Sequence, residues 1–173
     1  MSYKLKLLQI ADTTNIKIVS PSDVHNIMKN ESMVDRECFW AFHLNSVGVV
    51  IDKELVSMGT LTSSMASPPE IFKKAIINST AGIILVHNHP SGDCQPSNVD
   101  KETLYNLLLC SIILSVPIYD FIVIARNGYY SFRSEDLDER EDAAQHIIDG
   151  LLDSLKGDGN YAHKRLHKKR GTT

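Results

Sequence analysis

The most informative part of this sequence is the segment Ile84-Leu85-Val86-His87-Asn88-His89-Pro90-Ser91-Gly92-Asp93, which Pro96-Ser97-Asn98-Val99-Asp100 follows after two residues. The first segment continues a short apolar run over 81–86, which predicts a buried central strand. The second segment has the residues that commonly begin a helix. The polar and turn-forming residues between them predict a loop that joins this strand to this helix.

Two histidines and one aspartate in this region have the spacing of metal ligands. His87 and His89 point to the same side if strand geometry persists to the end, with their Cα atoms roughly 6–7 Å apart. Asp100 lies in the first turn of the next helix, and the loop returns it to the strand end. Two imidazoles, one carboxylate and an open fourth position are typical of a catalytic zinc site. The sequence therefore predicts one Zn²⁺ with a bound water molecule.

A hydrolytic zinc site also needs a group that takes a proton from the water molecule. Four glutamates precede the histidines, namely Glu31, Glu37, Glu54 and Glu70. Glu70 is predicted to form a capping box with Ser67, and Glu31 and Glu54 lie in polar stretches suited to solvent. Glu37 leads directly into an apolar, aromatic run, which places it at the edge of a predicted strand. We therefore expect Glu37 to be the general base.

Ser97 has two predicted functions. Its hydroxyl lies within one helical turn of Asp100, where we expect it to donate a hydrogen bond to a developing oxyanion. The pair Ser97-x-x-Asp100 also fits a helix capping box. The two functions are compatible, because a hydroxyl can accept one hydrogen bond and donate another.

The other predicted elements surround this segment. They are a helix from Pro21 to Asn30, a strand over Glu37–Leu44, strand material at Val49–Ile51 and Leu55–Leu61, a helix from Pro68, a helix that begins near Ser97 and ends before Pro117, and a hairpin of Ile118–Ala125 with Tyr129–Phe132 across Asn127-Gly128.

The composition narrows the class of protein. The 173 residues include 18 Lys and Arg against 21 Asp and Glu, so no global basic field favours sequence-independent nucleic-acid binding. Three cysteines without a CxxC pair argue against a disulfide framework and favour a reducing cytoplasm. The sequence has no signal-peptide pattern and no run long enough to span a membrane. We expect a cytoplasmic protein without a membrane partner.

Charge patterning divides the chain into four predicted parts. Residues 1–19 form an N-terminal extension, and residues 20–134 form the metal-binding domain. Residues 135–159 are predicted as an acidic helix with an apolar stripe. Residues 160–173, which carry basic side chains and no carboxylate, are predicted as a basic flexible tail.

The string His87-x-His89-Pro90, six residues, then Ser97-x-x-Asp100 resembles the JAMM (MPN-plus) metalloprotease motif, and Glu37 matches the separate glutamate of that family. The fuller string 84–93 with Pro96-Ser97 resembles the RadC branch of this family. The resemblance extends over about residues 20–134 and includes similar segments at 56–61, 117–124 and 128–132. Many RadC proteins carry an N-terminal helix-hairpin-helix module, which this chain is expected to lack as a short form.

The resemblance implies an α/β fold of the JAB/MPN (cytidine-deaminase-like) type, a three-layer sandwich with a curved mixed β-sheet flanked by helices. It implies that His87, His89 and Asp100 bind zinc, that Glu37 is the general base and that Ser97 holds the oxyanion. Asp120 corresponds to an acidic position that is common in RadC proteins, and the resemblance implies a hydrogen-bonding function for it.

The implied activity is zinc-dependent hydrolysis of peptide or isopeptide bonds in a substrate that the sequence does not identify. The alternative is a metal-binding, catalytically silent interaction module associated with DNA repair or maintenance. The complete constellation favours the enzyme, because a binding module needs neither Glu37 nor Ser97. A nuclease ranks lowest. Residues 87–89 read HNH, but in nucleases of that name the three residues are dispersed over a ββα element and do not form a contiguous tripeptide. Nucleic acid remains a partner that the charge does not support.

Overall fold

The structure is a computed structural model that describes residues 15–59 and 66–168, with side chains described up to residue 156. In these residues the helices and strands are α1 (Pro21–Ile27), a 3₁₀ helix (Glu31–Met33), β1 (Glu37–Leu44), β2 (Val50–Gly59), α2 (Pro68–Ile77), β3 (Gly82–Asn88), α3 (Asn98–Leu114), β4 (Ile118–Ala125), β5 (Gly128–Ser131), α4 (Phe132–Glu135) and α5 (Leu137–Lys168).

The strands form one mixed sheet in the order β2-β1-β3-β4-β5. Strand β1 pairs antiparallel with both β2 and β3, β3 pairs parallel with β4, and β4 pairs antiparallel with β5. The central strand β3 is buried along its whole length. This burial explains why its sequence is nearly continuously apolar up to the point where the histidines begin.

Alternate residues of the strands enter two separate cores. On one face, Phe39 and Leu85 pack with residues of α2, α3 and the first turns of α5. On the other face, Phe42 and Val86 pack with residues of α1. Helices therefore flank both faces of a mixed sheet, which confirms the predicted α/β class and the three-layer arrangement.

The β4–β5 hairpin differs from the prediction by one residue. Gly128 pairs with Ala125, so the two-residue loop consists of Arg126 and Asn127 and not of Asn127 and Gly128. Phe132 was predicted to end β5, but it begins α4, because Ser131 caps this short helix by accepting the Ser134 N–H. Strand β2 is continuous over Val50–Gly59, where the sequence predicted two pieces.

The predicted capping box of Glu70 is wrong. Ser67 is the N-cap of α2, but its side chain makes no capping hydrogen bond. The Glu70 N–H instead donates to the main-chain carbonyl of Ser67 at 3.1 Å. Pro68 and Pro69 fill the first two helical positions and have no N–H to be capped. The Glu70 side chain is exposed.

The predicted terminal segments are described only in part. In the extension 1–19, the Ile18 N–H donates to the Gly48 carbonyl of the β1–β2 turn, and the Ile16 carbonyl accepts the N–H of Val50 at the start of β2. Residues 1–14 lie outside the described residues. The backbone of α5 continues past the predicted helix end at 159 as far as Lys168. The side chains of the predicted flexible tail 160–173, and all of 169–173, lie outside the described residues.

In the part of α5 whose side chains the structure describes, the fully buried residues lie in the first turns. Leu137 and Ala144 are buried, whereas Ile147, Leu151 and Leu155 further along the helix are exposed. No helix in the described part of the chain combines the length and apolar character that a membrane span requires.

Candidate metal centre

The end of the central strand places two imidazoles on one side of the sheet. His87 pairs with Phe39 of β1 and with Val123 of β4. Although β3 ends at Asn88, the His89 N–H still donates to the Ile124 carbonyl at 2.9 Å, so strand geometry continues through His89. The two imidazole ring centroids are 4.8 Å apart. The structure therefore brings His87 and His89 together, as their i, i+2 spacing predicts.

Helix α3 presents the carboxylate of Asp100 to both rings. Asp100 is fully buried, and its Oδ1 accepts a hydrogen bond from His87 Nδ1 at 2.8 Å. Its Oδ2 lies 3.3 Å from His89 Nε2. The same Oδ2 accepts the Ser97 N–H at 2.7 Å and the Ser97 hydroxyl at 2.6 Å, and Ser97 Oγ accepts the Asp100 N–H at 3.1 Å. The predicted capping box is thus formed and fixes this carboxylate before any metal binds.

The electrostatics of the centre favour a cation. Burial acts to raise the pKa of Asp100, but the hydrogen bonds from His87, His89 and Ser97 outweigh it and hold the pKa well below its usual range. Burial likewise acts to lower the pKa of His89, but the bonds to Asp100 and to the Asp93 carbonyl outweigh it and raise the pKa. The centre therefore holds an ionised carboxylate and an imidazole that readily carries a proton, which a metal ion would replace.

The donor set fits a divalent metal ion. One ligand atom each from His87, His89 and Asp100 lie within 4.8 Å of one another. His87 Nε2 is buried without a hydrogen-bond partner in the described residues, because the ring makes its hydrogen bond to Asp100 through Nδ1. His89 Nδ1 is bonded to the Asp93 carbonyl at 2.9 Å, which directs its Nε2 to the centre. Two imidazole nitrogens and one carboxylate oxygen are typical zinc ligands.

Glu37, the first residue of β1, reaches the same centre from the neighbouring strand. Its Oε2 lies 3.9 Å from His87 Nε2, which is too far for a hydrogen bond. This oxygen is buried and, within the part of the chain that the structure describes, has no hydrogen-bond partner. By contrast, Glu31 is paired with Lys53, and Glu54 lies beside His43 at the opposite end of β1. Of these three glutamates, the structure places only Glu37 beside His87.

Ser97 lies next to the centre, but its hydroxyl proton is already engaged by Asp100 Oδ2. A hydroxyl has one proton, so donation to an oxyanion requires the hydroxyl to rotate away from Asp100. The capping function is therefore visible in the structure, and the oxyanion function stays a prediction.

Asp120 has a hydrogen-bonding function away from the histidines. It pairs with Ile84 across the sheet, and not with His87. Its Oδ2 accepts the Ser131 hydroxyl at 2.7 Å, and its Oδ1 accepts the Arg133 N–H at 2.9 Å. Burial raises the pKa of Asp120 to about 6, in spite of these hydrogen bonds. Asp120 therefore fixes the connection from β5 to α4.

Sequence reasoning missed Asn88, which lies between the two histidines. Asn88 is fully buried. Its Oδ1 accepts the Cys38 N–H at 2.7 Å, and its Nδ2 donates to the Arg36 carbonyl at 3.0 Å. The available signal was an amide side chain at a position where a buried strand is otherwise apolar, since a buried amide requires partners.

Comparison with known proteins assigns the chain to a family. A family model for the RadC-like JAB domain matches residues 18–137. A UPF0758 protein of Pelodictyon phaeoclathratiforme is 40% identical over 133 residues, which are 76% of this chain and 60% of that protein. A UPF0758 protein of Staphylococcus haemolyticus is 45% identical over 121 residues, which are 69% of this chain and 53% of that protein.

The chain spans between about half and three fifths of the length of these relatives. The family match covers the five strands, the helices α1 to α4 and every residue of the centre described above. This chain therefore belongs to the RadC-like JAB domain family.

Proposed function

We propose that this protein is a zinc-dependent metallohydrolase that cleaves peptide or isopeptide bonds. The proposal depends chiefly on one observation, the pair of buried atoms His87 Nε2 and Glu37 Oε2, which lie 3.9 Å apart. In the described residues neither atom has a hydrogen-bond partner. An imidazole lone pair and a carboxylate that face each other next to two further ligands fit a metal ion with a water molecule beside the carboxylate.

The residues of the centre divide the work of hydrolysis. His87, His89 and Asp100 would hold the ion. When bound, Zn²⁺ lowers the pKa of a water molecule towards ~7 and polarises a carbonyl group. Glu37 accepts a proton from the attacking water at Oε2 and delivers it to the leaving amine. Ser97 keeps Asp100 in its orientation, and its hydroxyl donates to the oxyanion after rotation.

The proposed substrate is a peptide or a protein with an accessible amide or isopeptide bond, because the constellation resembles the JAMM metalloprotease motif. We place the reaction in a reducing compartment, the cytoplasm, since Cys38, Cys94 and Cys110 are all free thiols.

The test compares metal content with cleavage in one variant. Protein purified without chelator or affinity metal is examined by elemental analysis and then incubated with a peptide library. We expect Glu37→Gln to retain zinc and to lose roughly 10²–10⁴-fold in cleavage rate, because general-base catalysis contributes about that much. Glu70→Gln, an exposed substitution on α2, is the control and should retain both zinc and cleavage.

Two outcomes would contradict the proposal. Wild-type protein that contains zinc but cleaves no peptide would support a catalytically silent binding module. Metal-dependent nicking of plasmid or single-stranded DNA that His89→Ala abolishes would support a nuclease instead.

A further inference from the structure

We propose that Asn88 is a positioning residue for Glu37. Its side-chain amide holds the start of β1 so that the Glu37 carboxylate faces His87. The importance of this placement for catalysis rests on the proposed function, whereas the placement itself follows from hydrogen bonds in the structure.

The ladder between β1 and β3 ends one residue before Asn88. The last paired residues are Phe39 and His87. Beyond them, the main chain of β3 continues to pair with β4, as the bond from the His89 N–H to the Ile124 carbonyl shows. The next main-chain groups of β1 are bound by the Asn88 side chain, whose amide offers the same donor and acceptor as a peptide group. Asn88 therefore extends the ladder by one step.

The two groups that Asn88 binds lie on either side of Glu37. The Arg36 carbonyl precedes Glu37 and the Cys38 N–H follows it. On its other side, Glu37 pairs with Gly59 of β2. The main chain at Glu37 is thus held by both neighbours of β1. Because the main chain at Glu37 is held on both sides, these bonds limit the positions that its carboxylate can reach relative to His87.

Asn88 is not a metal ligand in this arrangement. Strand alternation directs its side chain away from the face that carries His87 and His89. Both of its polar atoms are already bonded to the main chain of β1. The segment 87–89 therefore supplies two of the proposed metal ligands and also positions the proposed general base, Glu37.

The variants separate positioning from stability. Asn88→Leu keeps a similar size and removes both hydrogen bonds, whereas Asn88→Asp keeps the acceptor for Cys38 and loses the donor to Arg36. The matched control is Asn45→Leu, because the Asn45 side chain likewise makes two hydrogen bonds to the main chain, beyond the opposite end of β1. In this case Oδ1 accepts both N–H groups, at 3.1 and 3.0 Å. If Asn88 only stabilised the fold, Asn88→Leu and Asn45→Leu should have the same effect on the bound metal ion.

The probe is Co²⁺ alone, bound to the full chain, and the readout is its visible absorption spectrum. Glu37→Gln defines the spectral change that accompanies loss of the carboxylate. We expect Asn88→Leu to cause the same change, the double variant to add nothing, and Asn45→Leu to leave the wild-type spectrum. Co²⁺ affinity should fall by less than the roughly 10–100-fold typical of losing a hydrogen-bond partner of a ligand. If Asn88→Leu does not fold, Asn88→Asp should give a partial change.

A crystal structure of the metal-free Asn88→Leu variant provides the second readout. We expect the Glu37 carboxylate to move away from His87 while the 2.8 Å bond between His87 and Asp100 persists. A carboxylate that stays 3.9 Å from His87 Nε2, or a wild-type Co²⁺ spectrum, would overturn the inference. A Glu37-dependent spectrum without peptide cleavage would instead refute the proposed hydrolase and leave the inference standing.

Discussion

Replacing Ser97 by alanine tests whether the carboxylate of the metal centre is fixed by its helix cap. The Ser97 hydroxyl accepts the Asp100 N–H and donates to Asp100 Oδ2, so one substitution removes both bonds. If Ser97 acts only as an oxyanion donor, the variant should lose cleavage but keep wild-type stability. If it fixes Asp100, the metal-free protein itself should be destabilised.

The expected loss follows from the two hydrogen bonds. Loss of an N-cap side chain costs about 1 kcal/mol. The bond donated to Asp100 Oδ2 is short, at 2.6 Å, and involves an ionised acceptor. Such bonds contribute about 1.5–3 kcal/mol, and the lower end applies because this oxygen keeps the Ser97 N–H as a donor. We therefore expect the free energy of unfolding to fall by about 2.5 kcal/mol.

The assay is urea unfolding in the presence of a chelator, followed by the fluorescence of Trp40, the single tryptophan. The control is Ser20→Ala at the start of α1, nearer to solvent, because it removes only one bond to the carboxylate, the 3.0 Å bond from the Ser20 hydroxyl to Asp23 Oδ2. The 2.8 Å bond from the Ser20 main-chain N–H to the same oxygen remains in this variant. Ser97→Ala should lower the urea midpoint of unfolding clearly more than the control does. Ser97→Thr should keep most of the wild-type free energy of unfolding. Equal shifts in the two alanine variants would refute the reasoning.

Three further predictions concern the centre and the sheet that carries it. The pKa of His89 is raised in the folded state, so its protonation stabilises the metal-free fold fully at pH values below the unperturbed pKa of about 6.5. This stabilisation is lost as the pH rises through the pKa of the folded state. Zinc affinity should rise over that window with proton release, and titration calorimetry that gave the same heat in buffers of different ionisation enthalpy would contradict this. Leu85→Ala, in the central strand, should cost about 2–5 kcal/mol of unfolding free energy by urea titration, because the side chain is fully buried. Gly82→Ala should cost about 1–3 kcal/mol in the same assay, because its Cβ would lie 2.2 Å from the Tyr119 ring, and an unchanged midpoint would show that the ring moves freely.

The arrangement of the three candidate metal ligands could be predicted because its geometry is local. A strand that alternates its side chains brings His87 and His89 to one face, and a short loop with a capped helix returns Asp100 to them. Glu37 could be chosen by its place at the start of an apolar run. Its 3.9 Å distance from His87 could not be predicted, because it depends on the pairing of two strands.

Other features depend on contacts that the sequence does not display. The bond between Asn88 and Cys38 joins residues that are 50 positions apart, so no local pattern indicates it. The predicted Glu70 cap follows a pattern that fits, but the main-chain carbonyl of Ser67 competes for the same N–H. In the β4–β5 hairpin, strand pairing at Gly128 decides the turn, and the Asn-Gly preference does not.

Residues of the same chain already contact both oxygens of the Asp100 carboxylate, so the fold of the domain does not depend on a metal ion. In zinc fingers the apoprotein is unfolded, so removal of the ion removes the structure. Here Ser97 and the two imidazoles already contact both carboxylate oxygens and orient the carboxylate. Loss of the proposed metal ion would therefore leave the centre hydrogen-bonded and the domain folded, so that the ion could bind again without refolding of the chain.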